Sequence, residues 1–394
     1  MSSEESKETI FKENTEESSG EASFEEGVYV LDDSENVVED VSEEDVAAEW
    51  NGYGLDLIKM GKYREAIMAF DKAIELDPEN FCILNNKAAG LEGIGKFEEA
   101  LELYEKAVEI SPEDPDLWNN MAFSLSQVGK YDEAVKAYEK TLELSPDYPN
   151  AWYGKALNLN QMGAHEKAIE AFEKVLEEDP NYKEAWVGKG IAFSQMGRYD
   201  EAVIAYDMAI QIDPGFSEAW YYKGVDLDGI GSYRQAMKAY EKALELDPEN
   251  DDAWNNLGID LENLEEYEKA VESFEKSIEI NPTNADVWYN KGFTLSQMQN
   301  FEEAQKAFKK ALELNPEYFD AYSSLGFVLA QLKRFEEAVE IYDDALKLNP
   351  EIADAWFGKA VCLSYLDRGE EADAAYRKAV ELDPRYAGIG ESVQ

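Results

Sequence analysis

Four carboxylates in the middle of the chain have a spacing that could support catalysis. Asp226 and Asp228 lie two residues apart, and Asp260 and Glu262 repeat that arrangement 34 residues later. Paired acids can act as general acid and base, and carboxylate oxygens are ligands that divalent cations prefer. No glycine-turned loop orders these acids and no histidine accompanies them. We therefore interpret them as a solvated or groove-facing acidic patch, and we predict no catalytic residue and no metal site.

Other reactive side chains are scarce. The chain contains one histidine, His165, and two cysteines, Cys82 and Cys362, which are far apart in the sequence. One histidine cannot build a multi-histidine metal centre, and two distant cysteines do not indicate a disulfide scaffold. The sequence also has no P-loop and no dinucleotide-binding fingerprint. We therefore predict that the protein is not an enzyme and has no cofactor.

The net charge narrows the range of partners. The chain carries 86 acidic and 36 basic residues, a formal net charge of −50. A surface this negative repels DNA, RNA and anionic lipid, so we predict no nucleic-acid and no membrane partner. The charge either selects basic partner segments or keeps the chain soluble in a salty cytoplasm, and both interpretations stay open. The absence of a signal peptide and of any run near ~18 apolar residues predicts a cytoplasmic protein.

The chain is built from a repeat of 34 residues. All eight tryptophans are spaced by 34 residues or a multiple of 34, and ten of the twelve prolines, Pro78 to Pro384, keep the same period. Ten units fill residues 47–386 without an insertion. Residues 1–46 are acidic and serine-rich, which predicts a disordered tail. Residues 387–394 form a short C-terminal tail.

Each unit predicts two helices. In one unit, Trp220, Gly224 and Leu227 lie at i, i+4 and i+7, which is one face of a helix. Gly231 supplies the left-handed residue that ends this helix. A second apolar stripe follows, and Pro248 ends the second helix. A small residue at the eighth position, such as Gly224, allows the two helices to approach closely.

This pattern resembles the tetratricopeptide repeat family, including the repeat region of O-linked N-acetylglucosamine transferases without their catalytic domain. The resemblance implies an all-α, right-handed superhelix of ten helix-turn-helix repeats. It also implies that the first helices line a concave groove, to which positions 2, 5, 6, 9, 12 and 13 of each unit contribute. A scaffold or adaptor that binds a partner segment in this groove is the function that the resemblance favours.

Asparagines at position 6 are the first candidate ligands. They form two patches, at Asn86 and Asn120 and at Asn256 and Asn290. An asparagine amide has both a donor and an acceptor, so these residues could pair with the backbone of an extended peptide. Alternatively, asparagine merely suits an exposed helix start.

Aromatic side chains are the second candidate group. A contiguous stripe of exposed apolar side chains marks an interaction surface, and aromatic residues dominate binding hot spots. The candidate anchors at positions 9 and 5 are Phe123, Phe293, Phe327, Tyr153, Tyr221 and Tyr289. The alternative is that they pack between adjacent first helices.

Acidic residues set the expected charge of the groove. Glu218 and Asp252 occupy position 2, and Asp228 and Glu262 occupy position 12. Relatives that clamp acidic chaperone tails carry basic residues at these positions. We therefore predict a partner protein or peptide with apolar and neutral-to-basic character.

The C-terminal end suggests an alternative function. The last four units lack the glycine that ends the first helix, and only eight residues follow Tyr386, too few for a covering helix. An uncovered last repeat could support self-association into a homo-oligomer. A third possibility is that residues 24–41 of the tail occupy the groove of the same chain.

Overall fold

The computed structural model describes residues 28–31 and 37–387. The chain divides into two compact units, Met1–Ala192 and Phe193–Gln394, and the boundary falls inside the ninth helix. Each unit is described by itself below.

The described residues contain two helices for each predicted repeat. The first helices are α1 (Glu43–Lys59), α3 (Phe81–Glu92), α5 (Pro115–Gln127), α7 (Pro149–Gln161), α9 (Lys183–Gln195), α11 (Ser217–Gly229), α13 (Asp251–Asn263), α15 (Ala285–Gln297), α17 (Phe319–Gln331) and α19 (Ala353–Tyr365). The second helices are α2 (Tyr63–Leu76), α4 (Phe97–Ile110), α6 (Tyr131–Leu144), α8 (His165–Glu178), α10 (Tyr199–Ile212), α12 (Tyr233–Leu246), α14 (Tyr267–Ile280), α16 (Phe301–Leu314), α18 (Phe335–Leu348) and α20 (Gly369–Leu382). A single 3-10 turn, η1 (Pro384–Tyr386), follows α20. The prediction of an all-α fold with ten helix-turn-helix repeats is confirmed.

A short hairpin precedes the helices. Strand β1 (Val28–Leu31) pairs antiparallel with β2 (Val37–Val41), with Val28 opposite Val41. The hairpin lies within residues 1–46, for which composition predicts a disordered tail, and its strands are rich in valine, a residue that favours strands. Residues 1–27 and 32–36 lie outside the described residues, as do the side chains of the segment suggested to occupy the groove.

The first helix begins ahead of the repeat boundary at residue 47. Helix α1 starts at Glu43 because Ser42 caps it: the backbone N–H of Asp45 donates to Ser42 Oγ at 3.2 Å. The Ser42 hydroxyl in turn donates to Asp45 Oδ2 at 2.6 Å. This reciprocal pair is a capping interaction, and serine followed three residues later by an acid is the sequence pattern typical of such a helix start.

Close approach of the two helices depends on the small eighth residue. A Cβ atom added to Gly224 would lie 2.5 Å from the ring of Tyr240, and one added to Gly258 would lie 2.6 Å from the ring of Phe274. Both rings are fully buried. The prediction that this position is small for steric reasons is confirmed.

All ten first helices end in the same backbone conformation, although only six end with glycine. Their left-handed residues have φ between 56° and 77°, and the four that are not glycine are Glu265, Gln299, Lys333 and Asp367. Lys130 N donates to Leu125 O at 2.9 Å after a glycine, and Glu266 N donates to Leu261 O at 2.8 Å after Glu265. The turn therefore persists without glycine, at a conformational cost.

The periodic prolines also anchor the tryptophans. The indole N–H of Trp288 donates to Pro282 O at 3.0 Å, and the other tryptophans at position 4, from Trp118 onward, make the same bond. Because the carbonyl lies six residues upstream, the bond fixes the start of each first helix against the end of the preceding second helix. Sequence periodicity did not predict this contact.

The C-terminal turn folds back onto the last repeat. The ring of Tyr386 stacks on Phe357 with centroids 4.5 Å apart, and its hydroxyl bonds to Asp354. The hydroxyl of Tyr376 donates to Tyr386 O at 2.9 Å. None of the large apolar side chains of α20 is exposed. The turn thus begins to cover a surface that the sequence alone suggested was open.

None of the helices in the described part of the chain has the length and apolar character needed to cross a membrane.

Candidate functional site

Two pockets lie between consecutive first helices, one in each unit. The α5–α7 pocket, in the first unit, has a volume of about 450 Å³. The α13–α15 pocket, in the second unit, has a volume of about 240 Å³ and is lined by Ile259, Glu262, Asn263, Tyr289, Asn290 and Phe293.

The two pockets use the same repeat positions. Each lining residue of the α13–α15 pocket has a counterpart four repeats earlier that lines the α5–α7 pocket. In the order given above, the counterparts are Phe123, Ser126, Gln127, Tyr153, Gly154 and Leu157. The repeat therefore builds the same site twice, with different side chains.

Apolar side chains form the walls of the α5–α7 pocket. Phe123 is 44% exposed and Leu157 is 39% exposed, although both are large and apolar. Tyr153 is half-buried and stacks on Tyr182 with ring centroids 5.1 Å apart. These residues offer apolar surface on rigid helices, which suits the side chain of a ligand.

Gly154 and the ring of Tyr138 form part of the floor of this pocket. A Cβ atom added to Gly154 would lie 2.3 Å from Cζ of Tyr138, so the buried Tyr138 ring of α6 fills the space beneath Gly154. Four repeats later, Asn290 places a side chain at the position of Gly154. The two pockets therefore differ at this position, with a ring from α6 beneath a glycine in one and an amide side chain in the other.

Uncharged amides provide the polar groups of the α5–α7 pocket. The amides of Gln127, Asn150 and Gln161 are exposed and make no hydrogen bond within the described residues. Buried Asn158 is satisfied, because it accepts from Ser126 Oγ at 2.8 Å and donates to Gly154 O at 2.8 Å. No charged residue lines the pocket. It therefore presents donors and acceptors without selecting for a charge.

The predicted asparagine ligands link neighbouring repeats. Nδ2 of Asn86 donates to Asn51 Oδ1 at 2.9 Å, and Nδ2 of Asn120 donates to Asn85 Oδ1 at 3.0 Å. In the second unit, Nδ2 of Asn290 donates to Asn255 Oδ1 at 3.1 Å. Asn256 Oδ1 accepts from Asn255 Nδ2 at 3.4 Å. Part of the hydrogen-bonding capacity that the sequence suggested for a peptide is therefore used between first helices.

A carboxylate distinguishes the α13–α15 pocket. Glu262 is half-buried, and its Oε2 accepts from Thr294 Oγ1 at 2.5 Å. Burial raises the pKa of Glu262, and the hydrogen bond from Thr294 partly offsets this rise. Tyr289 and Phe293 form the aromatic wall, with ring centroids 6.3 Å apart.

The other acids of the central cluster are more buried than predicted. Asp226 and Asp260 are each only 1% exposed. Asp226 accepts from Ser194 Oγ at 2.6 Å, and Tyr240 Oη donates to Asp228 Oδ2 at 2.6 Å. The interpretation of the cluster as a solvated or groove-facing patch is wrong for Asp226 and Asp260, because position 10 faces the neighbouring repeat rather than solvent.

Asp228 and Asp260 form a carboxyl pair between α11 and α13. Apart from their contact with each other, Asp228 Oδ1 and Asp260 Oδ2 have no hydrogen-bond partner in the described residues. Burial, followed by the charge of Asp228, raises the pKa of Asp260 to about 8. Across the described residues, no group of three or more acid, histidine or cysteine side chains could hold a metal ion.

Two lysines of the first helices form ion pairs with second helices. Lys223 pairs with Asp207 at 2.5 Å, and Lys291 pairs with Glu275 at 2.8 Å. Both partners lie on the second helix of the preceding repeat. The position-2 acids Glu218 and Asp252 are exposed.

The structure brings together about half of the predicted site residues. The α5–α7 pocket contains Asn120, Phe123 and Tyr153, and the α13–α15 pocket contains Glu262, Tyr289, Asn290 and Phe293. Tyr221 lies beside Tyr240, with centroids 6.2 Å apart, and next to Asn256. The predicted residues outside both pockets are Asn86, Asn256, Tyr221, Glu218, Asp228, Asp252 and Phe327, of which Phe327 is 48% exposed.

The three exposed amides of the α5–α7 pocket that make no hydrogen bond were not among the predicted site residues. Gln127 and Gln161 occupy position 13, and Asn150 occupies position 2. A periodic signal was available for position 13, which also carries glutamine at Gln195, Gln297 and Gln331.

Comparison with known families matches nearly the whole repeat region. Tetratricopeptide repeat profiles match residues 47–80, 94–129, 120–183, 159–223, 217–250 and 331–387. A profile described as the cytochrome c-type biogenesis protein H TPR domain matches residues 242–356. Comparison with curated proteins finds no significant match.

Solved structures with similar folds are tetratricopeptide repeat proteins. One from Parabacteroides merdae is 21% identical over 64% of this chain and 99% of its own, with a TM-score of 0.52. The C-terminal part of a Cytophaga hutchinsonii protein is 22% identical over 59% of this chain and 95% of its own, with a TM-score of 0.51. YrrB, described as a TPR protein with an unusual peptide-binding site, is 27% identical over 48% of this chain and 96% of its own, with a TM-score of 0.44. Since the matching profiles cover the repeats from the first to the last, this chain belongs to the tetratricopeptide repeat family.

Proposed function

We propose that this protein is a non-enzymatic scaffold or adaptor that binds an extended segment of a partner protein on its first helices, with the α5–α7 pocket as the main site. The observation that carries the proposal is an uncharged pocket of about 450 Å³ with exposed apolar walls and unbonded amides. A volume of this size falls within the range of small-ligand and side-chain pockets.

The chemistry of the pocket suits a peptide. An apolar side chain of the partner can lie between Phe123 and Leu157, where it removes exposed apolar surface from water. The amides of Gln127, Asn150 and Gln161 can each donate to and accept from a peptide backbone, so they recognise an extended chain largely independently of its sequence.

A displayed library of random peptides tests this proposal with the full chain. We expect enriched peptides that contain apolar residues. For the enriched peptides, Leu157→Ala combined with Gln127→Ala should weaken the Kd about tenfold or more, since an apolar contact and a hydrogen bond are lost together.

Met68→Ala provides the matched control. Met68 is apolar and exposed but lies on the second helix α2, away from the pocket. The control should bind like the unmodified chain. No enrichment, or equal binding by the pocket variant, would contradict the proposal.

Self-association is the alternative function. Self-association through the last repeat would need an exposed apolar surface there. Helix α20 has no large apolar side chain that is exposed. We therefore expect a molar mass by light scattering that does not change with protein concentration. A mass that rises with concentration would support self-association instead.

A further inference from the structure

Glu262 has no cationic partner among the residues that the structure describes. Among the described residues, its one hydrogen bond is the contact from Thr294 Oγ1. Helix α13 contains no lysine or arginine, and Lys291 of α15 is engaged with Glu275 on α14. A half-buried carboxylate without a cation is costly, and an external cation would relieve that cost.

A structural role does not require this charge. Four repeats earlier, Ser126 and Asn158 fill the positions of Glu262 and Thr294 and join the same two helix faces through a 2.8 Å hydrogen bond. A neutral pair therefore connects consecutive first helices without a buried charge. The carboxylate of Glu262 adds a feature that this connection does not need.

The walls of the α13–α15 pocket suit a cation with an apolar stem. Tyr289 and Phe293 present aromatic rings, and Ile259 adds exposed apolar surface. Aromatic faces attract ammonium and guanidinium groups, and the stem of a long basic side chain packs on apolar atoms. About 240 Å³ is enough for one such side chain.

The charges on the surrounding helices point the same way. Helices α13 and α15 carry the acids Asp251, Asp252, Asp260, Glu262 and Asp286 against one lysine. Helices α5 and α7, which form the equivalent pocket in the first unit, carry one acid and one lysine. An acidic surrounding raises the local concentration of cationic groups.

We propose that the α13–α15 pocket is a cation subsite that accepts a lysine or arginine side chain of the bound peptide, with Glu262 as its counter-charge. The proposal rests on the proposed function and specifies what the second unit recognises. It assigns opposite preferences to two equivalent sites, uncharged for the α5–α7 pocket and cationic for the α13–α15 pocket.

A double-mutant cycle tests the subsite. The probe is a lysine-containing peptide enriched from the random library, together with the same peptide carrying norleucine in place of that lysine. Binding of both peptides is measured on the full chain and on the Glu262→Gln variant. Glutamine has a similar shape and can still accept from Thr294, so the variant removes mainly the charge.

On the unmodified chain, norleucine should weaken the Kd about tenfold, which is the usual scale for a hydrogen bond to a charged group. On Glu262→Gln, the same exchange should change the Kd less than about twofold, because the counter-charge is absent. Glu272→Gln makes the same charge change at an exposed residue of α14 and should preserve the tenfold difference.

The outcomes separate this inference from the proposed function. Peptides that bind the full chain but contain no basic residue that couples to Glu262 would overturn the subsite and leave the scaffold proposal standing. The same lysine-to-norleucine change in Kd on Glu262→Gln and on Glu272→Gln would also overturn the subsite. The general negative charge of the surface would then explain the preference for lysine. A library that yields no binding peptide at all would overturn both.

Discussion

The α5–α7 and α13–α15 pockets are two versions of one site. Both lie between consecutive first helices and use the same six repeat positions. They differ most at two of these: Ser126 against Glu262, and Gly154 against Asn290. The first difference changes the charge, and the second exchanges a glycine for an amide side chain. The pocket volumes are about 450 and about 240 Å³. We infer that the repeat determines where a ligand can bind, and that these two side chains determine which ligand fits.

The helix ends give a second contrast between the units. In the first unit, every first helix that lies wholly within it ends with glycine in the left-handed conformation. In the second unit, four of the first helices end with Glu265, Gln299, Lys333 or Asp367 in that same conformation. Because a side chain disfavours this conformation, the second unit maintains the same turn at a higher cost.

The largest expected effect concerns the Asp228–Asp260 pair, which has no counterpart in the first unit. The raised pKa of Asp260, about 8, means that the folded state keeps a proton that the unfolded state has lost above about pH 4. The stabilisation is therefore complete below about pH 4 and is lost as the pH rises through about 8. Over that window the free energy of unfolding should fall by up to about 1.4 kcal/mol per pH unit for this one proton.

Hydrogen–deuterium exchange of the α13 amides from pH 5 to 8 measures this loss, with the α5 amides as an internal reference. Asp260→Asn should remove most of the pH dependence in α13, since an amide can donate to Asp228 as the protonated acid does. Glu272→Gln, an exposed charge change, should leave it unaltered. An unchanged pH profile in Asp260→Asn would show that the pair does not hold the proton.

The next effect concerns the volume of the α5–α7 pocket. Gly154→Ala should lower the free energy of unfolding by about 1–3 kcal/mol, because its Cβ would overlap the buried ring of Tyr138. Peptide binding should weaken as well, since the displaced ring changes the pocket floor.

Gly52→Ala is the matched control, at position 6 of the first repeat. A Cβ atom added to Gly52 has no neighbour within 4 Å, so alanine should stabilise α1 by about 0.5–1 kcal/mol. Urea unfolding followed by circular dichroism distinguishes the two. A stabilising Gly154→Ala would mean that Tyr138 does not fill this space.

The smallest effect concerns the helix ends. Gln299→Gly should raise the free energy of unfolding by about 0.5–1 kcal/mol, because Gln299 has φ 60°. Gly129→Gln, at the equivalent position of the first unit, should lower it by a similar amount or more. Thermal melting of the two variants checks the opposite signs, and shifts of the same sign would contradict the cost assigned to the turn.

The fold could be read from the sequence because its determinants are local and periodic. Gly224, Gly231 and Pro248 each act within one repeat, so spacing alone predicts their roles. Contacts between repeats were harder to predict. The burial of Asp260 and the bond from Trp288 to Pro282 depend on how one repeat packs on the next. The composition of a single repeat does not contain that information.

The candidate site was predictable in part for the same reason. Positions 5 and 9 singled out Phe123, Tyr153 and Tyr289, which line the two pockets. The two pockets could not be singled out among the ten repeats, because the cavity beside Gly154 depends on where the ring of Tyr138 lies.

Exchanging the two polar pairs should move the cation subsite from the second unit to the first. The exchanged chain carries Ser126→Glu and Asn158→Thr in the first unit, and Glu262→Ser and Thr294→Asn in the second. A lysine-containing peptide from the library carries a photoreactive diazirine next to its lysine, and mass spectrometry maps the cross-links. We expect cross-links to α13 and α15 in the unmodified chain and to α5 and α7 in the exchanged chain. Cross-links that stay in the same place after the exchange would contradict this expectation.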